Sequence, residues 1–209
     1  MEVLSMTYRV LTISRQFGAG GHTLGQLVAQ KLNIPFYDAE IIEKAVADTG
    51  FSPEFVREAG EYASTTHSFL FNLALSHSVS AGPGEMSNYD KIYIAQARII
   101  RDLAEKSPCV IVGRCADYIL RERTDVFHVF VHADTDYRIK RVREEYGEIP
   151  GKTIEERLEE KDKKRALYYR HYTDRELGDL ENYDLTVNTA RIPLETACGW
   201  IVQALQQNG

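Results

Sequence analysis

The sequence predicts an α/β protein: a parallel five-stranded sheet with helices on both faces, three layers in all. Three observations predict it. Five short apolar runs punctuate the chain, longer stretches of helical spacing separate them, and a glycine-rich turn directly follows the first run. Strands joined through helices imply right-handed crossovers and therefore parallel pairing. Ligands of such sheets bind outside the carboxyl ends of the strands, which is where the glycine turn lies.

The apolar runs are Tyr8–Ser14, Pro35–Tyr37, Cys109–Val112, Val126–His132 and Leu185–Asn188. Strands buried on both faces read as continuous apolar stretches of this kind. The helical patterns are Thr23–Leu32, Ala39–Thr49, Pro53–Tyr62, Phe69–Ser78, Tyr89–Lys106, Ala116–Arg123, Thr135–Tyr146, Ile154–Tyr172 and Pro193–Gln206. In the first of them Leu24, Leu27, Val28 and Leu32 recur at helical spacing. Ser76–Asn88, rich in Ser, Gly and Pro, reads as a loop, and Tyr146–Thr153 carries Gly147, Pro150 and Gly151 as a hinge before a highly charged helix. No repeat or low-complexity tract interrupts the 209 residues, so a single domain spanning 1–209 is expected.

The turn itself is Arg15-Gln16-Phe17-Gly18-Ala19-Gly20-Gly21-His22-Thr23. Strand, glycine turn and helix together aim backbone N–H groups and the positive end of a helix dipole at a phosphate. The full phosphate-loop pattern is G-x-x-x-x-G-K-[ST]. Here Arg15 stands at the first glycine and Gly21 at the lysine. On these residues alone, a plain strand-to-helix connection is the alternative.

Composition narrows the class. The chain is 44% hydrophobic and 27% charged, in the range of a globular protein with a sizeable core. A net charge of −6 argues against binding a nucleic-acid polymer, which requires an excess of cations. It leaves room for a small phosphorylated ligand in a local basic pocket. Cys109, Cys115 and Cys198 show neither metal-ligand spacing nor a disulfide framework. No signal pattern and no membrane-length apolar run is present, so a cytoplasmic protein without a membrane partner is expected. A homo-oligomer stays open, with the Phe51–Ser78 helical patterns as its surface.

Several side chains are candidates for chemistry. Val112-Gly113-Arg114 ends a buried strand, and the planar fork of Arg114 suits phosphate oxygens; pairing with Asp117 is the alternative. The helix Ile154–Tyr172 holds Arg157, Lys161, Lys163, Lys164, Arg165 and Arg170. Glu159–Lys163 and Glu160–Lys164 are ordinary i,i+4 pairs of a solvated helix, but Arg165 and Arg170 are not needed for them, which suggests a closing lid. Asp38, after the second strand, is suited to orient an acceptor or to cap the next helix. His22 is the histidine expected at the phosphate-facing end of the first helix.

Taken in order, the pieces resemble the nucleoside monophosphate kinases, most closely the cytidylate kinase-like family. Gly18-Ala19-Gly20-Gly21-His22-Thr23-Leu24 stands where cytidylate kinases carry G-A-G-K-G-T-L. Phe36-Tyr37-Asp38, Val112-Gly113-Arg114, Phe130-Val131-His132-Ala133-Asp134, Glu160 to Arg165 and Tyr183 to Thr189 follow the family's order over nearly the whole chain. Gly21, His22 and Lys161 depart from it, replacing lysine, glycine and arginine. The resemblance implies a P-loop kinase fold with a helical acceptor-binding insertion at about 39–88 and a lid at about 147–172. It implies phosphoryl transfer from ATP, with Mg2+, to a small acceptor such as the nucleoside monophosphate CMP. A nucleotide-binding sensor with little transfer is the other expectation. Gly18, Ala19, Gly20, Gly21, His22 and Thr23 would hold the nucleotide, with the Thr23 hydroxyl near the metal. Arg15, Arg165 and Arg170 would act on the transferring group, Arg15 standing in for the lysine unless it only braces the loop through Asp117. Asp38, Arg98, Arg101, Arg114 and Asp117 would form the acceptor side.

Overall fold

The computed structural model describes residues 8–47, 50–59 and 87–206. All five strands are present: β1 Val10–Arg15, β2 Phe36–Tyr37, β3 Cys109–Val112, β4 Val126–His132 and β5 Leu185–Asn188. They pair in parallel in the order β2-β3-β1-β4-β5. Val10 lies opposite both Cys109 and Val126, so β1 is the central strand, and every residue of it is buried. From β1 the chain crosses to β2 on one side and later enters β4 on the other. The connections therefore diverge at the carboxyl end of β1 and leave a crevice there.

Eight helices among the described residues cover the sheet: α1 Gly21–Leu32, α2 Ala39–Ala47, α3 Pro53–Ala59, α4 Asn88–Lys106, α5 Ala116–Ile119, α6 Thr135–Tyr146, α7 Ile154–Thr173 and α8 Leu194–Gln206. The apolar stripe of α1 (Leu24, Val28, Ala29) packs with Ile201 and Leu205 of α8 on one face. On the other, Ile42, Val56, Ile92, Ile100 and Tyr168 join α2, α3, α4 and α7 in a second core. Ends are set locally. Asn33, in the left-handed region, closes α1, and Thr153 with Glu156 forms a reciprocal capping box at the start of α7.

Some boundaries differ from the sequence reading. The pattern Ala116–Arg123 yields only one helical turn, because the chain bends at Leu120 and Arg123 folds onto Asp125. The Ser76–Asn88 loop, save its last two residues, and the Phe69–Ser78 pattern lie outside the described residues. Among the described residues no helix is long and apolar enough to cross a membrane.

Candidate functional site

The crevice at the end of β1 is a cleft of about 890 Å³. One wall is the glycine turn. Gly18 and Gly20 adopt φ of +78° and +83°, a region that favours glycine. A Cβ on Gly18 would meet Val142 Cγ2 at 2.8 Å, and one on Gly20 would meet the Arg141 guanidinium at 3.3 Å. The N–H groups of Gly21, His22 and Thr23 open α1 and have no acceptor within the helix. No side chain caps them and no acidic residue lies in the first turn, so this end of α1 is suited to an external anion.

The turn is tied to distant helices. Phe17 N donates to Asp162 of α7 at 2.7 Å, and its carbonyl accepts from Arg138 of α6 at 3.3 Å. Arg138 also pairs with Asp162, so the two helices hold the loop through one shared carboxylate.

Cations surround it. Arg15 is 8% exposed and lines the cleft. Its Cβ and Cγ lie 2.8 and 3.0 Å from where a Cβ on Gly21 would stand, so its stem runs through the space beside position 21. Arg165 donates to the Arg15 carbonyl at 3.2 Å and lies over the Phe17 ring at 5.6 Å, inside the same cleft. Arg141 donates to the Thr23 hydroxyl at 2.8 Å and pairs with Glu145. Arg138 and Arg141 share a face of α6 at i,i+3 spacing. The sequence reading missed both, because α6 is polar along most of its length and an i,i+3 pair does not mark one face of it.

The opposite wall comes from the end of β2 and from α2. His22 Nε2 lies 3.1 Å from Asp38 Oδ2, and both side chains face the cleft. Asp38 also caps α2 through the Ile41 N–H at 3.0 Å. The His22 hydrogen bond, outweighing burial, holds the Asp38 carboxyl below its ordinary range. Glu40, Glu43, Lys44 and Arg57 complete this wall.

The remaining expected site residues are placed elsewhere. The Arg114 side chain is fully buried and paired with Glu43, which stands between it and the cleft. Burial is the main influence on Arg114 and lowers its pKa, Arg15 adds to this, and Tyr168 opposes it. Asp117 is buried in α5, accepting from Ser14 at 3.3 Å and Tyr169 at 2.7 Å. Arg98 is 85% exposed and lies 4.0 Å from Asp102, and Arg101 is also exposed. Arg170 points to solvent 3.8 Å from Glu176. These five line no part of the cleft. For Arg170 the reason is helical phase: five residues turn the helix about 140° past a full turn, so Arg165 faces the loop and Arg170 faces away.

The residues at Thr23 do not fit a protein-borne magnesium site. A guanidinium stands at hydrogen-bond distance from the oxygen expected to face the metal, and like charges oppose each other there. Among the described residues no three His, Cys, Asp or Glu side chains gather to hold a metal ion. The Thr23 surroundings instead fit a phosphate.

The model of the cytidylate kinase-like family matches residues 10–191. Among solved structures, an uncharacterized protein from Eubacterium ventriosum ATCC 27560 is 25% identical with a TM-score of 0.67, over 95% of this chain and 99% of that one. Shikimate kinase from Bacteroides thetaiotaomicron is 17% identical with a TM-score of 0.52, over 95% and 98%. Shikimate kinase from Acinetobacter baumannii, solved in complex with shikimate, is 15% identical with a TM-score of 0.53, over 95% and 93%. The two shikimate kinases are similar in fold, the three-layer fold of P-loop kinases. No curated protein matches the chain.

Proposed function

The chain belongs to the cytidylate kinase-like family, and from that premise we propose that it transfers the γ-phosphoryl group of ATP to a small acceptor. One observation carries the reading. Arg15 and Arg165 converge on a glycine turn whose first helical N–H groups are unclaimed, where the usual lysine is absent. Phosphoryl transfer requires positioning and charge neutralisation more than covalent chemistry, and this arrangement supplies both. The Arg15 guanidinium takes the part of the lysine, with a fork suited to two phosphate oxygens. Arg165 reaches the transferring group from α7, which with residues 147–172 forms the lid. Residues 39–88 form the acceptor-binding insertion of the same single domain. Magnesium arrives on the nucleotide phosphates, and Thr23 faces phosphate.

CMP heads the acceptors to be tried, because the family resemblance points to it. Incubating the full chain with labelled ATP, magnesium and a panel of nucleosides, monophosphates and metabolites tests the reading; transfer to one of them is expected. The bare position 21 favours a second reading, a nucleotide-binding sensor. Tight ATP binding without transfer to any acceptor supports that one, and failure to bind ATP overturns both.

A further inference from the structure

The central strand carries two buried polar side chains, Thr12 and Ser14, in a run that is otherwise apolar up to Arg15. Thr12 Oγ1 lies 2.7 Å from His128 Nδ1 of the neighbouring strand. Ser14 Oγ donates to Asp117 Oδ1 at 3.3 Å, and Tyr169 Oη donates to the other carboxyl oxygen at 2.7 Å. The backbone N–H groups of Asp117 and Tyr118 donate to the same carboxyl. An ionised carboxyl only accepts hydrogen bonds, and each of these partners donates one.

Both tied side chains adjoin a cation of the cleft. Ser14 precedes Arg15, and Tyr169 follows Arg165 by four residues, on the same face of α7. Arg165 itself donates to the Arg15 carbonyl at 3.2 Å. Strand β1 and helix α7 are thus joined twice: directly at the cleft, and behind it through Asp117. Ser14, Arg15, Arg165 and Tyr169 border a gap of about 10 Å³ between the two joints. That is room for one water at most, so little slack separates them. Packing alone does not call for a carboxyl here, because burial opposes its ionisation. A second open cavity, of about 280 Å³, reaches Asp117 and shares no lining residue with the cleft.

Resting on the kinase reading above, we infer that Asp117 is a positioning residue: its carboxylate fixes Arg15 and Arg165 relative to each other, and its protonation through the second cavity loosens them and lowers phosphoryl transfer. A protonated carboxyl carries an O–H where it had an acceptor, so one of the two hydroxyl donors loses its partner. Other titratable groups face the same space. His128 comes from β4, and Tyr183 and Asp184 from the segment before β5. At the mouth Arg121 pairs with Glu122, and Arg175 donates to Asn182 beside Glu181. Burial raises the pKa of Tyr169 and of Tyr183, so both phenols stay neutral. His128 titrates in parent and variants alike, so the test compares them at matched pH. Burial raises the Asp117 pKa, and the hold is lost as pH falls through that raised value. Asp117→Asn cannot ionise and copies the protonated state at every pH.

Full-length protein is assayed across a pH series with ATP, magnesium and the acceptor that the panel above identifies. The kcat of the parent relative to Asp117→Asn should rise with pH to a plateau of roughly 10-fold to 10²-fold, the scale of a small misplacement of catalytic groups. ATP affinity by calorimetry should change much less. Over the same series the stability of the parent relative to this variant, from urea unfolding, should fall. A merely structural carboxyl would not move the two readouts in opposite directions. Tyr169→Phe keeps the ring and removes one tie, so it should lower kcat by itself and add little on top of Asp117→Asn. A kcat ratio that does not change with pH overturns the inference, and so does unchanged turnover in Tyr169→Phe; either leaves the kinase reading standing. A parent that transfers phosphate to no acceptor overturns the kinase reading, and the inference with it.

Discussion

The side chain of Arg15 and the missing side chain of Gly21 share one space: Arg15 Cβ lies 2.8 Å, and Cγ 3.0 Å, from where a Cβ on residue 21 would be. Lysine at 21 and any side chain at 15 are therefore mutually exclusive in this backbone. Gly21→Lys alone should lower stability by about 1–3 kcal/mol, the usual range for overpacking. Arg15→Ala does not make room, because alanine keeps the obstructing Cβ. Only Arg15→Gly combined with Gly21→Lys removes the contact and returns a cation to the loop, and this pair should regain transfer activity that Arg15→Ala loses by roughly 10²-fold. Urea unfolding and steady-state kinetics on the three variants check both parts. Parent-like stability in Gly21→Lys would sink the shared-space account.

Gly18 combines a positive φ with a crowded Cβ direction. Its φ is +78°, and a Cβ would lie 2.8 Å from Val142 Cγ2 and 3.1 Å from the Arg138 carbonyl. Gly18→Ala should lower stability by about 1–3 kcal/mol, from the left-handed backbone together with overpacking. ATP affinity should fall with it, because the loop must shift to admit the methyl group. Thermal unfolding and nucleotide titration measure the two effects; an unchanged midpoint counts against this geometry.

Arg165 and Arg170 divide in role although they lie on one helix. Arg165 is 5% exposed and bonded to the loop, whereas the Arg170 side chain is 69% exposed. Arg165→Ala should reduce kcat by about 10²-fold while changing ATP affinity much less, as expected for charge stabilisation concentrated in the transition state. Arg170→Ala should lower kcat far less. Equal losses in the two variants would contradict the placement.

Asp117 links stability to pH. Burial pushes its carboxyl above the ordinary 3.8, against the opposing hydrogen bond from Tyr169. The folded protein therefore holds a proton that the unfolded chain releases. Stability from that proton is fully present below pH 3.8 and is lost as pH rises through the raised folded value. Asp117→Asn cannot ionise and lacks this decline. His128, whose pKa burial lowers, responds in the opposite sense and is present in both proteins. Unfolding free energies measured across a pH series should show the parent losing ground to Asp117→Asn as pH rises; parallel curves would rule the linkage out.

By itself the sequence determined the sheet and the place of the cleft. The Cys109–Val112 and Val126–His132 runs coincide with strands β3 and β4, because interior parallel strands need apolar residues on both faces and leave a nearly unbroken signal. The glycine turn was legible for a related reason, since Gly18 and Gly20 occupy backbone angles that favour glycine. Only the tertiary structure decided which cations share the cleft. Arg165 meets the Arg15 carbonyl across 150 residues of chain, and Asp162 meets the Phe17 N–H across 145. Periodicity reports which face of a helix is apolar, but α6 and α7 are polar along most of their length, so their phase toward the loop left no pattern to read. Arg138, Arg141 and the contact between His22 and Asp38 became visible only once packing brought those faces to the end of β1.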